Sequence, residues 1–229
     1  MIVLGLESAT AQVGVAIGGP GGVIVSFHST RERRHAEALA PAIDFLCRQA
    51  GVDLDAIGAV AVDVGPGLFT GLRVGLATGK AIAHALSVPM AGVSSLDLLA
   101  FPARITERVV VSAIDARRGE VYHAGYRKEG GGIRRIAEPR VGHPDELAGQ
   151  LRALGEGCLM VGDGAHRYAE IFGEVDGVEI AYEGFRYPSA ESLVELAVAK
   201  ARRGELVPER EIMPLYLRES YVHEKKREA

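Results

Sequence analysis

The alternation of apolar and polar residues predicts that the chain begins with a three-stranded β-meander and continues into a helix. Apolar runs separated by turn-forming residues occupy positions 2–6, 13–17 and 23–27. Between His35 and Ala50 the apolar residues recur at helical spacing, and Gly51 follows directly. This pattern predicts a helix that ends before Gly51.

The next apolar run, at positions 57–64, predicts a buried strand that leads into the glycine-rich sequence GPGLFTGLRVG at 65–75. Helical spacing then continues to residue 86. A strand, a glycine turn and a helix start can bind phosphate through free backbone N–H groups and the helix dipole. The sequence is neither a Walker A motif nor a dinucleotide fingerprint. The alternative is a tight turn whose glycines only allow close packing.

The second half of the chain repeats this order. Apolar strands are predicted at 108–114, 120–126 and 133–136, and a later strand at 159–161 leads into Gly162-Asp163-Gly164 and a helical segment. The repeat predicts an α/β fold of the duplicated actin-like (ASKHA) class, with two lobes of which the second is reduced. The predicted divisions are a first lobe at 1–103, a smaller second lobe at 104–215 and a charged tail at 216–229.

The composition narrows the possible functions. The chain has 229 residues, 48% of them apolar, and a formal net charge of -4, so no overall basic field attracts nucleic acid. Its two cysteines, Cys47 and Cys158, are not in zinc-type spacing. The N-terminus lacks a basic n-region, and no apolar run approaches the roughly 20 residues of a membrane helix. A cytoplasmic protein without membrane contact is expected.

Five motifs, in order along the chain, resemble the TsaB (YeaZ) family of bacterial tRNA threonylcarbamoyladenosine biosynthesis. They are LESAT (6–10), HAEALAP (35–41), GPGLFTGLRVG (65–75), DARRGEVY (115–122) and PLYLR (214–218). The resemblance implies an actin-like fold in truncated form. It also implies membership in a complex that transfers a threonylcarbamoyl group to the adenosine next to the tRNA anticodon.

The resemblance further implies a non-catalytic subunit that pairs with a TsaD-like catalytic subunit and with a TsaE-like ATPase, and that reaches tRNA through the complex. A homodimer is possible for the chain alone. The TsaD-like relatives bind a metal through two histidines, where this chain has Ser95 and Leu99, which cannot act as imidazole ligands. No cofactor of its own is therefore expected, and ATP and a metal ion are expected on the partner subunits. The rival hypothesis is a free-standing phosphotransferase or metallopeptidase that uses the interlobe cleft.

Two predicted helices have few charges and many small residues, which favours a partner interface. The resemblance points to the same lobe. The predicted interface residues are His35, Ala36, Leu39, Ala40, Ile43, Thr70, Gly71, Arg73, Gly75, Thr78, Gly79, Ile82 and Ala83. Among them Ala83 is predicted to mark a place of close approach.

A vestigial anion or nucleotide site is predicted at the strand ends and glycine turns. Its residues are Glu7, Ser8, Gly65, Pro66, Gly67, Asp115, Gly162 and Gly164. Glu7 replaces an aspartate that is common in the family. Glu7 and Asp115 either face each other across a cleft or only end their strands and bond local backbone groups.

Several other side chains have two possible roles. Asp63 is a metal-associated acid or, by preference, a turn cap. Arg73 binds an anion or a partner, or is a solvated helix-face residue. Arg117 and Glu120 are a possible hairpin ion pair. The basic clusters at 31–34 and 225–227 could touch tRNA phosphates, although each is interleaved with or followed by glutamate.

Overall fold

The computed structural model describes residues 1–30 and 35–218 of the chain, without the side chain of His35. The strands are β1 (Ile2–Glu7), β2 (Val13–Gly19), β3 (Gly22–Ser29), β4 (Ile57–Gly65), β5 (Met90–Ser94), β6 (Val109–Arg117), β7 (Glu120–Glu129), β8 (Gly132–Gly142), β9 (Cys158–Val161) and β10 (Val178–Ile180). The α-helices are α1 (His35–Ala50), α2 (Phe69–Leu86), α3 (Ser95–Ala100), α4 (Pro144–Leu154), α5 (Asp163–Arg167), α6 (Ala169–Gly173) and α7 (Ala190–Arg202).

The strands form two five-stranded sheets with the same topology. The first sheet has the order β3-β2-β1-β4-β5, and the second, read from its opposite edge, has the order β8-β7-β6-β9-β10. In both sheets the first three strands in sequence pair antiparallel and the last two add in parallel. The sheet topology therefore bears out the predicted duplication and the actin-like α/β fold.

The first sheet is covered on both faces. Side chains such as Leu4 and Val60 pack with α1 and α2 in one core cluster. The other face, which carries Val3 and Ala61, packs with Leu193 and Val194 of α7. Because α7 completes the first lobe, the predicted extent of the second lobe, 104–215, must be corrected: residues 190–202 pack on the first sheet.

The last described segment also returns to the first lobe. Val207 pairs antiparallel with Met90 at the edge of the first sheet, and the Ile212 side chain is buried in the core on the α1 and α2 side. Farther along, the Leu215 amide donates to the Val64 carbonyl at 2.7 Å. Residues 205–215 are thus part of the first lobe's structure.

The second lobe is smaller in its helices. α4 joins its third and fourth strands, and the short helices α5 and α6 replace the single long helix that follows β4. Within the described residues, none of the helices combines the length and apolarity that crossing a bilayer requires.

Candidate functional site

The glycine-rich turn after β4 packs directly against the turn that follows β1. The Leu68 amide donates to the Ala9 carbonyl at 2.6 Å, and the Ser8 hydroxyl donates to the Gly71 carbonyl at 2.8 Å. A Cβ atom on Gly67 would lie 2.1 Å from the Ala9 oxygen. Backbone contact therefore requires glycine at position 67, which agrees with the alternative that the glycines of this turn only allow close packing.

The same construction recurs in the second lobe. A Cβ atom on Gly162 would lie 2.1 Å from the Ala113 carbonyl oxygen, and one on Gly164 would lie 2.9 Å from the Ala113 carbonyl carbon. Gly162 also has a φ of 108°, in the region that glycine favours. The structure thus brings the predicted site residues together as two separate clusters, one in each lobe.

Glu7 and Asp63 form a buried pair of acids at the ends of the adjacent parallel strands β1 and β4. Glu7 Oε1 accepts from the Ala9 amide at 2.9 Å. Asp63 Oδ1 accepts from the Gly65 amide at 2.7 Å and from the Ser95 hydroxyl at 2.6 Å. The second oxygen of each acid is buried and makes no hydrogen bond within the described part of the chain. Asp63 is a turn cap, as the preferred hypothesis stated.

Burial raises the pKa of Asp63 to about 7, against the lowering effect of its hydrogen bonds from Ser95 and Gly65. Burial also raises the pKa of Glu7 well above its ordinary value, and the negative charge on Asp63 raises it further. Asp63, with a pKa of about 7, gains negative charge as the pH rises through neutrality, which disfavours a phosphate group at this turn.

Asp115, at the end of β6, has different neighbours. Its Oδ1 accepts from the Arg117 amide at 2.9 Å, and its Oδ2 lies 3.2 Å from an Arg117 guanidinium nitrogen and 3.6 Å from one of Arg167. Its own amide donates to Asp163 at 3.0 Å. Both Glu7 and Asp115 therefore end their strands and bond local backbone groups.

The predicted ion pair between Arg117 and Glu120 is wrong. Arg117 pairs with Asp115, two residues earlier on the same strand end. Glu120 instead pairs with Arg218, which the returning C-terminal segment brings to this hairpin.

Ser95 and Leu99, the two positions that were expected not to bind a metal, are buried. Ser95 donates to Asp63, while the preceding residue, Ser94, caps α3 by accepting from the Leu96 amide at 3.3 Å. Among the described residues, no three His, Cys, Asp or Glu side chains are grouped so that they could hold a metal ion. The residues at this position do not fit a metal site.

Several predicted interface residues face inward and must be corrected. Leu39, Ile43 and Ala83 lie in the core cluster of the first lobe, with Ala83 fully buried. Gly75 faces Ser8, and Gly79 faces Val62. Gly71 is buried as well. These small residues let α2 approach its own sheet, so in this structure they are not available to a partner.

The other predicted interface residues do reach the surface. Ala36, Ala40, Thr70 and Arg73 are exposed, and Thr78 and Ile82 are half-buried. The side chain of His35 lies outside the described part. A groove of about 880 Å³ runs between α1 and α2, and it is lined by Ala40, Ile43, Asp44, Cys47, Arg48, Gly51, Val52, Asp53, Leu54, Thr78, Ala81 and Ile82.

Sequence reasoning missed two features of this region. The exposed apolar side chains Phe45 and Leu54 were not assigned to the interface, although the apolar excess of α1 was a signal for Phe45. The contact of Tyr216 with Phe69 had no local signal, because the two residues are far apart in sequence. The basic clusters at 31–34 and 225–227 lie outside the described residues.

Comparison with known proteins supplies the family context. The family model described as TsaD, tRNA N6-adenosine threonylcarbamoyltransferase, matches residues 20–226. The tRNA threonylcarbamoyladenosine biosynthesis protein TsaB of Escherichia coli is 30% identical over 228 residues, which cover 98% of each chain. The solved YeaZ structure from Pseudomonas aeruginosa is 32% identical with a TM-score of 0.81, and the match covers 94% of this chain and 99% of that one.

More distant structures agree in fold alone. The ethanolamine utilization protein EutJ from Carboxydothermus hydrogenoformans is 12% identical with a TM-score of 0.51. The match covers 85% of this chain and 89% of that one.

Proposed function

Because the chain belongs to the TsaB (YeaZ) family, we propose that it acts in tRNA threonylcarbamoyladenosine biosynthesis as a non-catalytic scaffold for a TsaD-like catalytic subunit. In this role it supports transfer of a threonylcarbamoyl group to the adenosine next to the anticodon. The names of the relatives support the role in this biosynthesis. The surface of α1 and α2 supports the pairing.

The groove between α1 and α2 is the observation that carries the pairing proposal. Its floor includes Ile43 and Ile82, and the exposed Ala40 and Ala81 stand at its sides. Small side chains allow a partner helix to approach closely, and apolar surface buried there contributes about 25 cal/mol per Å². Phe45, which is 49% exposed on α1, adds an apolar side chain that a partner can cover.

The charged residues of the groove also suit a protein partner. Asp44 and Arg48 pair with each other along α1 at 2.6 Å, with both side chains about two-thirds exposed (64% and 67%). A polar rim around an apolar centre is the usual arrangement of a protein interface. A TsaD-like subunit is the proposed occupant, and self-association through this surface is the alternative for the isolated chain.

The absence of catalysis is proposed from the residues at the strand ends. Ser95 and Leu99 supply no metal ligand, and the glycine turn uses the Gly65 and Leu68 amides within the chain. We therefore expect ATP and the metal ion on the partner subunits, with a TsaE-like protein as the ATPase. The purified chain alone should neither transfer threonylcarbamoyl nor bind ATP with low-micromolar affinity.

The decisive experiment places one charge in the groove. Ala81→Glu should weaken association with the TsaD-like subunit at least tenfold, because a buried unpaired carboxylate costs several kcal/mol and each ~1.4 kcal/mol is tenfold. Sedimentation of the two proteins measures association, and a tRNA-modification assay with and without this chain measures function.

Two control variants make the result specific. Ala153→Glu puts the same charge on an exposed alanine of α4 and should leave association unchanged. Ala83→Glu puts it in the core and should unfold the first lobe. An Ala81→Glu protein that is stable and fully paired would remove the groove from the interface. Chelator-sensitive transfer or peptidase turnover by the isolated chain would favour the free-standing enzyme instead.

A further inference from the structure

A stack of three side chains lies at the start of α2. The Arg73 guanidinium carbon is 3.9 Å from the centroid of the Phe69 ring. The Tyr216 ring lies near the same Phe69 ring, with centroids 5.9 Å apart and planes 30° apart. Phe69 is 55% exposed and Tyr216 is 48% exposed. A chain with 6% aromatic residues and no tryptophan therefore keeps two stacked aromatic rings half in solvent.

The position of the stack is fixed by backbone contacts. The Leu215 amide donates to the Val64 carbonyl at 2.7 Å, which sets the neighbouring Tyr216 beside the glycine turn. The Arg73 Nε–H also points to the Tyr216 hydroxyl at 3.5 Å. The platform is thus built before any ligand arrives.

The stack lies on a different side of α2 from Thr78 and Ile82, two residues of the groove between α1 and α2. At about 100° per residue, Arg73 is about 140° around the helix from Thr78, about 180° from Ile82 and about 80° from Ala81, the groove residue nearest to it in direction. Thr78 and Ile82 line the groove. A partner helix centred on Thr78 and Ile82 would therefore leave Phe69 and Arg73 accessible to a second ligand.

Two arginines at the β6–β7 hairpin have a costly backbone conformation. Arg117, the last residue of β6, and Arg118, in the turn that follows, have φ values of 63° and 56°. Glycine, asparagine and aspartate fit such turn positions far better, and a non-glycine residue there costs about 1–2 kcal/mol. Residues in such strained backbone conformations cluster at functional sites.

An ion pair joins the hairpin to the stack. Glu120 pairs with Arg218, and each lies two residues from its group, Glu120 from Arg118 and Arg218 from Tyr216. Two residues span at most about 7 Å of backbone. The hairpin that carries the strained arginines and the segment that carries Tyr216 therefore meet at this ion pair, and the region around it is called the hairpin face.

The charges on this face are arranged with the cations outside. Five arginines are present, namely Arg73, Arg117, Arg118, Arg167 and Arg218. Three acids accompany them, and all three are buried or half-buried, namely Asp115, Glu120 and Asp163. Arg117 and Arg167 are more than half exposed, while the Asp115 side chain that they both approach is 4% exposed. Arg117 and Arg167 thus hold exposed guanidinium groups over a buried carboxylate, although the chain has a net charge of -4.

We propose that this face binds the tRNA directly, with an unpaired base stacked on Tyr216 and Phe69 and with phosphates held by Arg117 and Arg118. The proposal rests on the proposed function, since it assigns the contact between this subunit and the RNA substrate. Aromatic side chains bind unstacked bases of single-stranded loops, and exposed guanidinium groups bind the phosphates. An RNA, which is a polyanion with flat bases, suits a cationic, aromatic face better than a protein partner does.

The first test alters the ring at position 216 in the assembled complex with the TsaD-like subunit. Tyr216→Ala should weaken binding of an unmodified tRNA transcript about tenfold, because one stacked base is lost. Tyr216→Phe keeps the ring and should bind the transcript as the wild type does. Both variants should keep the wild-type melting temperature.

The second test separates stability from binding. Arg118→Gly removes one cation and relieves the left-handed backbone, so its melting temperature should equal or exceed that of the wild type. Its tRNA affinity should nevertheless fall, and the slope of log affinity against log salt should decrease by about 1. Arg152→Ala, an exposed arginine on α4, is the control that should change neither quantity.

The outcomes distinguish this proposal from the proposed function. Binding is measured without turnover, so a wild-type complex that binds tRNA but does not modify it would count against the function and leave the contact standing. If Tyr216→Ala and Arg118→Gly bind the transcript as tightly as the wild type, the RNA contact is overturned. If Tyr216→Ala instead weakens association with the TsaD-like subunit, the stack is a protein contact and the proposal is likewise overturned.

Discussion

The first and second lobes place an acid at the same point, the end of the first strand of each sheet, and surround it differently. Glu7 lies beside a second acid, Asp63, in a fully buried site. Asp115 lies between the guanidinium groups of Arg117 and Arg167. In each lobe a glycine turn packs on backbone two residues from the acid, on Ala9 after Glu7 and on Ala113 before Asp115. Duplication has thus kept the chain path and changed the electrostatics.

This difference shows how one fold supports two kinds of surface. In the first lobe the strand end buries two carboxyl groups, Glu7 and Asp63, and the accessible surface is on α1 and α2. In the second lobe the strand end carries exposed cations around a buried carboxylate. The proposed protein partner uses the first lobe's helices, whereas the proposed RNA contact combines arginines of the second lobe with the Phe69 and Tyr216 rings beside the first.

Substitution of the turn glycines should change the free energy of unfolding the most, and it tests whether the backbone turns of the two lobes are equivalent. Gly162→Ala should lower the free energy of unfolding by about 3 kcal/mol or more, because it adds a backbone clash to a strained positive φ. Gly67→Ala has the clash without the positive φ and should cost less. Denaturant unfolding measures both. A Gly67→Ala protein less stable than Gly162→Ala would show that the two turns are not equivalent.

The pH dependence of stability should reveal the proton held in the first lobe. Because the folded-state pKa of Asp63 is raised to about 7, the folded chain binds a proton that the unfolded chain releases above about pH 4. The free energy of unfolding should therefore fall as the pH rises from about 4 to 7, by up to about 1.4 kcal/mol per pH unit. Asp63→Asn should remove this part of the slope. Parallel profiles for the wild type and Asp63→Asn would contradict the assignment.

Replacing each acid by its amide should change the free energy of unfolding the least, and the sign of the change should differ between the two lobes. At pH 8, Asp63→Asn removes a buried charge that lies next to Glu7 and should stabilise the chain or leave it unchanged. Asp115→Asn keeps the acceptor for the Arg117 amide but weakens both ion pairs, and it should cost about 1 kcal/mol. Thermal unfolding at one pH compares them. Equal signs would mean that the two sites do not differ in charge balance.

Local patterns predicted those parts of the fold that depend on nearby residues. The helix from His35 to Ala50 was predicted with its observed bounds, because its apolar stripe and the terminating Gly51 are both local signals. The strand order of each meander followed from short turns. The strand predicted at 133–136 in fact spans Gly132–Gly142. The prediction was too short because polar residues on its exposed face interrupt the apolar–polar alternation.

Features that depend on distant contacts could not be predicted in this way. α2 has small residues on nearly every side, so the sequence could not say that Ala83 faces the core and Ala81 the groove. The bond from Ser95 to Asp63 joins residues 32 positions apart. α7 carries an ordinary apolar stripe, but nothing local indicates that its partner is the first sheet.

The return of α7 to the first sheet also sets the order in which the chain can fold during synthesis. The face of the first sheet that carries Val3 and Ala61 is covered by residues 190–202, which are translated after both sheets. The strands of the second sheet, in contrast, all lie between Val109 and Ile180. Domains form as their residues leave the ribosome, so the lobe that is made first is the one finished last. Until then its apolar face is open to chaperones or to neighbouring chains.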